Sequence, residues 1–181
     1  MPADIHLPPL TFVLGGARSG KSAYALALAE AAVTIDAAAP DLLIVATAEA
    51  GDEEMTARIA HHKAVRGPRW RAVESPVALS AALREHCAPG RVIVVDCITL
   101  WLSNLLHAGQ DPELACRDLL DTLAGAPGQV IVISNEVGMG IVPDNALARK
   151  FRDHAGWMHQ RIAAQADRVM LITAGLAFPL K

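Results

Sequence analysis

The run Gly15-Gly16-Ala17-Arg18-Ser19-Gly20-Lys21-Ser22 matches the pattern GxxxxGK[ST]. It stands between an apolar stretch, LTFVLGG, and an alanine-rich helical pattern, SAYALALAEAAV. Strand, glycine-rich turn and helix in that order are what a phosphate-binding loop requires. Glycines let the backbone curl so that its amide N–H groups point inward, and the following helix adds the positive end of its dipole. Lys21 is expected to reach the β and γ phosphates of a nucleoside triphosphate, and Ser22 to offer its hydroxyl to Mg2+. Every residue from Gly15 to Ser22 is a candidate nucleotide contact, and Lys21 is also a candidate catalytic residue.

The remainder of the chain alternates short apolar, β-branched runs with longer helical patterns, which predicts βαβ units around a mostly parallel sheet. DLLIVATA reads as the second strand, a short strand is expected around residues 69–74, and DRVMLITAG reads as a late strand before a short tail, LAFPLK. Pro179 in that tail argues for an edge position. RVIVVD and QVIVISN are continuous apolar runs ending in polar residues, as expected of central strands buried on both faces and separated by helices. The longest helical pattern is DNALARKFRDHAGWMHQRIAAQA. The expected fold is α/β, a RecA-like P-loop NTPase three-layer sandwich with a mostly parallel central sheet. With 181 residues, 52% of them hydrophobic, one domain over residues 1–181 is expected.

Asp96 closes RVIVVD and is the best partner carboxylate for Ser22 at a Mg2+ site, although an aspartate at a strand end also serves as a simple cap. Asn135 and Glu136 end the next apolar run, at the sheet edge where ligands of open α/β sheets bind. Glu136 is a candidate for substrate binding or Mg2+ placement; alternatively Asn135 caps the strand and Gly138 and Gly140 only permit a turn. Trp101 and Trp157 lie within helical patterns and read as core or subunit-contact residues rather than stacking groups for a ligand.

The net charge of −3, with acidic and basic residues interspersed, gives no footprint for nucleic acid or an anionic membrane. A small-molecule substrate fits better. Cys87, Cys97 and Cys116 form no CxxC pair, and a reduced, cytoplasmic setting is the simplest reading. No segment approaches the roughly 20 apolar residues that span a bilayer, so a soluble protein without a membrane span is expected.

In DEEMTARIAHHKAVR, Glu54, Arg58 and His61 fall at spacings of four and three and share one helical face, whereas His62 continues the stripe of Met55 and Ile59. A neutral imidazole is a competent nucleophile toward phosphorus. Adjacent histidines on an amphipathic helix are more often one surface and one partly buried residue, and no neighbouring Cys or His has zinc-ligand spacing.

With GGARSGKS, RIAHHK, VVDCITLWLSNLL and SNEVGMGIVPDNALARKFRDHAGWMHQRIA in this order, the chain resembles the bifunctional adenosylcobinamide kinase and adenosylcobinamide-phosphate guanylyltransferase family of cobalamin biosynthesis. The resemblance covers nearly the whole chain. It implies phosphorylation of the aminopropanol hydroxyl of adenosylcobinamide with ATP or GTP. Transfer of GMP from GTP to adenosylcobinamide phosphate through a guanylylated histidine would follow, with release of pyrophosphate. It makes His61, the first histidine of RIAHHK, the guanylyl acceptor. It also implies nucleotide contacts at Gly15 to Ser22, at Ala46, Thr47 and Ala48, at Ala64, Val65, Arg66 and Gly67, and at Glu74 and Asp96. Family members can carry Glu where this chain has Asp96, which leaves that carboxylate between two roles, holding Mg2+ or a ribose hydroxyl. The resemblance further implies a homo-oligomer, such as a trimer, with sites near subunit boundaries. Two other readings of the residues stand beside it: a P-loop kinase of another small metabolite, and a nucleotide-switched binding protein.

Overall fold

The computed structural model of the chain describes residues 7–33, 41–49 and 69–181. Among them seven strands form one sheet: β1 (Leu10–Gly15), β2 (Asp41–Ala46), β3 (Trp70–Glu74), β4 (Arg91–Asp96), β5 (Gln129–Asn135), β6 (Arg168–Thr173) and β7 (Leu176–Pro179). The helices are α1 (Lys21–Val33), α2 (Leu79–His86), α3 (Ile98–His107), α4 (Pro112–Ala124) and α5 (Ala146–Gln165). The strand order is β3-β2-β4-β5-β1-β6-β7, and every pairing is parallel except β6 with β7. This is the mostly parallel α/β sheet that the alternating pattern predicts.

Because successive strand residues face opposite sides, the apolar runs supply two cores at once. Phe12, Leu14, Leu43, Val45, Ile93, Val95, Val130 and Val132 pack on one face with buried residues of α2, α3, α4 and α5. Val13, Leu42, Ile44, Val92, Val94, Ile131 and Ile133 pack on the other with Ala25, Leu28 and Ala29 of α1. Helix, sheet and helix thus make three layers. Trp101 lies in the larger core, 1% exposed, with its indole N–H donating to the Val77 carbonyl at 2.7 Å. Trp157 is different: it is half exposed and meets His154 edge-on, so it is not a core residue.

Two helices start at side-chain caps. Asp111 accepts from the Glu113 and Leu114 amides before Pro112 opens α4, and Asn145 accepts from the Ala148 amide at 2.7 Å before α5. The tail departs from its sequence reading. Residues 176–179 form β7, antiparallel to β6, because Ala174 and Gly175 both take positive φ (52° and 80°) and close a two-residue hairpin between the paired Thr173 and Leu176. Pro179 does sit on the edge strand, as its missing N–H requires. Helix α2, only eight residues long, has no counterpart in the sequence reading.

Candidate active site

Parallel register gathers the strand ends. Gly15 of β1 pairs with Asn135 of β5 and with Ile172 of β6, while Ala46 of β2 pairs with Glu74 of β3 and Asp96 of β4. Gly15, Ala46, Glu74, Asp96 and Asn135 therefore share one carboxyl-end edge of the sheet, where open α/β sheets bind their ligands.

The glycine-rich turn rises from the middle of that edge. Gly15 has no room for a side chain, since a Cβ there would lie 2.3 Å from the Ile172 carbonyl oxygen and 2.7 Å from Ser19 Oγ. Gly20 takes φ +101°, a backbone conformation that L side chains rarely adopt, and its neighbour Ser19 accepts from the Gly175 amide at 2.9 Å. Gly16, Ala17 and Arg18 are exposed at the crest of the turn, with Arg18 at φ +55°. Ser19 and Lys21 are buried beneath it. The Lys21 ammonium is folded back into the loop, donating to the Gly16 carbonyl at 2.5 Å with Ser19 Oγ 3.5 Å away.

Ser22, in the first turn of α1, donates its hydroxyl to Asp96 Oδ2 at 3.1 Å. Strand β5 stands between β1 and β4, so this contact carries the loop's hydroxyl across one strand to a carboxylate. A hydroxyl and a carboxylate oxygen side by side are the hard donors that Mg2+ prefers. Asp96 itself is fixed from behind. Its carbonyl accepts from the Thr47 amide at 3.1 Å. The Thr47 hydroxyl accepts from the Cys97 amide at 2.9 Å and donates to the Cys97 carbonyl at 2.6 Å. Asn104 of α3 then donates to both the Thr47 and Pro76 carbonyls, at 2.8 and 2.9 Å. Fully buried Thr47 is thus a clamp between the ends of β2 and β4, and its backbone and hydroxyl groups are all engaged within the protein. Ala46 and Ala48 flank it, half-buried, and Glu74 is exposed at the end of β3.

Sequence reading did not single out Cys97, Thr99, Asn104 or His159. The Cys97 thiol is pushed above its ordinary pKa, by burial first and then by the adjacent Asp96 carboxylate, which makes it a poor nucleophile. Its Sγ lies 3.1 Å from Thr99 Oγ1, and Thr99 in turn accepts from Asn135 Nδ2 at 3.0 Å. Asn135 is therefore tied inward. A polar residue among the apolar neighbours of VVDCITLWLSNLL is the one signal that could have drawn attention to Asn104, and Thr99 and Ser103 share it.

Glu136 follows β5 directly, and its amide donates to the Gly15 carbonyl at 2.9 Å, so it begins beside the first residue of the glycine-rich turn. Its Oε1 accepts from the Gly138 amide at 2.5 Å, and its Oε2 lies 3.8 Å from Nδ1 of His159. The buried His159 imidazole holds Ser134 Oγ at 2.6 Å on its other nitrogen. Burial depresses the His159 pKa, and the Glu136 carboxylate opposes that shift. His61 and residues 64–67 lie outside the described residues, as does the rest of the predicted histidine helix.

Residues 11–180 match the family described as cobinamide kinase / cobinamide phosphate guanyltransferase. The chain belongs to this family. The bifunctional adenosylcobalamin biosynthesis protein CobP of Pseudomonas aeruginosa is 47% identical over 173 residues, covering 93% of this chain and 95% of its own length. The CobU protein of Salmonella typhimurium, of the same description, is 42% identical over 95% of this chain and 99% of its own. Among solved structures, the flagellar accessory protein FlaH of Methanocaldococcus jannaschii aligns with 96% of this chain and 78% of its own at a TM-score of 0.50 and 13% identity, a likeness of fold alone. As a cobinamide kinase / guanylyltransferase family member, the chain carries the pattern GxxxxGK[ST] complete, from Gly15 to Ser22, within the matched residues.

Proposed function

We propose that the protein phosphorylates adenosylcobinamide with ATP or GTP and then transfers GMP from GTP to adenosylcobinamide phosphate, with both reactions run on the edge that carries Gly15, Lys21, Ser22 and Asp96. The Ser22–Asp96 contact is the observation that carries this reading, because it joins the phosphate loop to a carboxylate on a second strand. In the kinase step, the loop amides and Lys21 hold the β and γ phosphates, with Lys21 leaving the Gly16 carbonyl for the nucleotide. Ser22 and Asp96 would hold Mg2+, which when bound neutralises phosphate charge. In the guanylyl step, His61 attacks the α-phosphorus in line with departing pyrophosphate, and the same loop stabilises that leaving group. The family match supports His61 as the acceptor through its place in RIAHHK.

Thr47 enters this scheme as the clamp that fixes Asp96. Ala46, Ala48, Ala64 to Gly67 and Glu74 are proposed to border the nucleoside. We assign the activity to one domain over residues 1–181, in the cytoplasm, acting as a homo-oligomer such as a trimer. None of the described helices is long and apolar enough to cross a membrane.

GTP labelled at the α or γ position tests the scheme. Wild-type protein should retain the α-label as an acid-labile adduct and pass the γ-label to adenosylcobinamide. His61→Ala should lose the adduct and guanylyl transfer yet keep kinase activity, while His62→Ala keeps the adduct. An adduct mapped to His62 overturns the nucleophile, and the absence of any α-label under turnover points instead to a simple kinase. Lys21→Ala should impair both reactions, and Asp96→Asn should impair nucleotide use across a Mg2+ titration.

A further inference from the structure

The kinase step needs a group to take the proton of the attacking hydroxyl, and the P-loop offers none. Lys21 is a cation, and Asp96 is engaged with Ser22. Glu136 is the carboxylate that starts beside the loop without belonging to it, through the bond from its amide to the Gly15 carbonyl. One of its oxygens is held by the Gly138 amide. The other faces His159 at 3.8 Å, beyond hydrogen-bond distance, and the side chain keeps about a quarter of its surface open to solvent, 24%.

The array behind it is unusual for a core. Ser134 is fully buried in β5, His159 is 6% exposed on α5, and the imidazole lies against the ring of Phe12 at 5.8 Å between centroids. A serine and a histidine buried among apolar side chains cost stability unless they satisfy each other. Here they do so at 2.6 Å. In the tautomer in which the Ser134 hydroxyl donates to Nε2, the imidazole proton resides on Nδ1, the nitrogen that faces Glu136. A string of polar groups therefore runs from the core to Oε2 of Glu136, the oxygen that the Gly138 amide does not hold.

We infer that Glu136 is the general base of the phosphoryl-transfer step and that His159, set by Ser134, is the residue that positions its carboxylate. This rests on the kinase reading above. Glu136 Oε2 takes the proton as the substrate's O–H bond breaks and its oxygen bonds to the γ-phosphorus. The bond from that phosphorus to the β-phosphate oxygen breaks, and the electron pair leaves with the nucleoside diphosphate. Glu136 returns the proton to solvent after product release. Guanylyl transfer needs no such base, because its acceptor, adenosylcobinamide phosphate, is already an anion.

The two reactions therefore separate the role. Glu136→Gln keeps an oxygen for the Gly138 amide and the side chain's shape, but it cannot take a proton. It should lower kinase kcat by about 100-fold or more, the usual worth of a general base. KM for GTP, and guanylyl transfer onto preformed adenosylcobinamide phosphate, should stay near wild type. His159→Ala should lower kinase kcat by less, again sparing guanylyl transfer, and His159→Gln, which offers an N–H donor, should recover part of the loss. Parallel loss of both reactions in Glu136→Gln would make Glu136 a nucleotide-holding or structural residue, and an unchanged kinase rate would make it a turn-former; either overturns the inference. A His159→Ala protein that melts lower but keeps its kinase kcat overturns the positioning role. Wild-type protein without γ-phosphoryl transfer would instead sink the kinase reading itself.

Discussion

Replacing Gly15 by alanine tests how the glycine-rich turn is seated on the sheet. An ideal Cβ at residue 15 meets the Ile172 carbonyl oxygen at 2.3 Å, about 1 Å inside ordinary van der Waals contact. The obstacle is backbone of β6, which is paired in register with β1 from Thr11 to Gly15, so relief requires the two strands to part. The second contact, Ser19 Oγ at 2.7 Å, is the end of a short side chain and yields cheaply. Overpacking of this kind costs roughly 1–3 kcal/mol, and a backbone obstacle argues for the upper end. At about 3 kcal/mol the folding equilibrium falls by roughly 100-fold. For a domain of this length that lowers Tm by roughly 6–12 °C. Gly16 is the internal control, because a Cβ there meets nothing within 4 Å and its φ is not positive, so Gly16→Ala should change stability by no more than about 0.5 kcal/mol. Urea unfolding and thermal melts of the two variants, compared at equal m-value, make the measurement. Equal melting temperatures for Gly15→Ala and Gly16→Ala would refute the argument that β6 forbids a side chain at residue 15.

Trp101→Ala should cost about 3–5 kcal/mol in urea unfolding, with Trp101→Phe costing less; a loss below about 1 kcal/mol for the alanine would mean that the core closes over the site. Because burial depresses the His159 pKa, the unfolded chain takes up a proton below about pH 6.5 that the folded chain resists. Stability should therefore fall as pH drops from 6.5 toward the lower folded value, and the fall in urea midpoint between pH 8 and pH 5.5 should be smaller in His159→Gln; an equal fall would assign the acid sensitivity elsewhere. Asn145→Ala should destabilise by about 1 kcal/mol through loss of the α5 cap, while Asn145→Asp should retain most of it, as read by thermal melts.

The central strands were legible because both their faces are buried. RVIVVD and QVIVISN coincide with β4 and β5 residue for residue, since a continuous apolar run has only one way to end, at the first polar residue to reach the edge. The tail offered no such signal: every residue of β7 is exposed, and the strand exists because Ala174 and Gly175 turn the chain back onto β6. Helix α2 went unread although Leu79, Ala82 and Leu83 do keep a helical spacing, because two turns between two strands are short for a helix. In the site, Gly15 to Ser22 and Asp96 could be picked out singly, one set by a local motif and the other by a strand end. That they meet depends on the strand order. So do Thr47, Cys97 and Asn104, whose bonds join residues about 50 positions apart, and no local pattern records such pairings.

The interval of one strand between the loop and Asp96 also bears on how one edge could serve two reactions. Gly15, Thr47 and Asp96 are each bound through backbone atoms to a neighbouring strand or its extension, so the base of the proposed phosphate loop and the carboxylate proposed to hold Mg2+ share a rigid frame. A rigid frame that grips the β and γ phosphates does the same work whether the bond broken lies at the γ- or the α-phosphorus: in one case it steadies the group being transferred, in the other the pyrophosphate that leaves. The choice of bond must then come from the nucleophile. In the proposed scheme one nucleophile, the substrate hydroxyl, is made reactive by Glu136 at the end of β5, and the other, His61, attacks the α-phosphorus directly. Substitutions in the frame should depress both activities together, whereas substitutions at Glu136 or His61 should each remove one. Such a split is hard to obtain if each reaction had its own phosphate site.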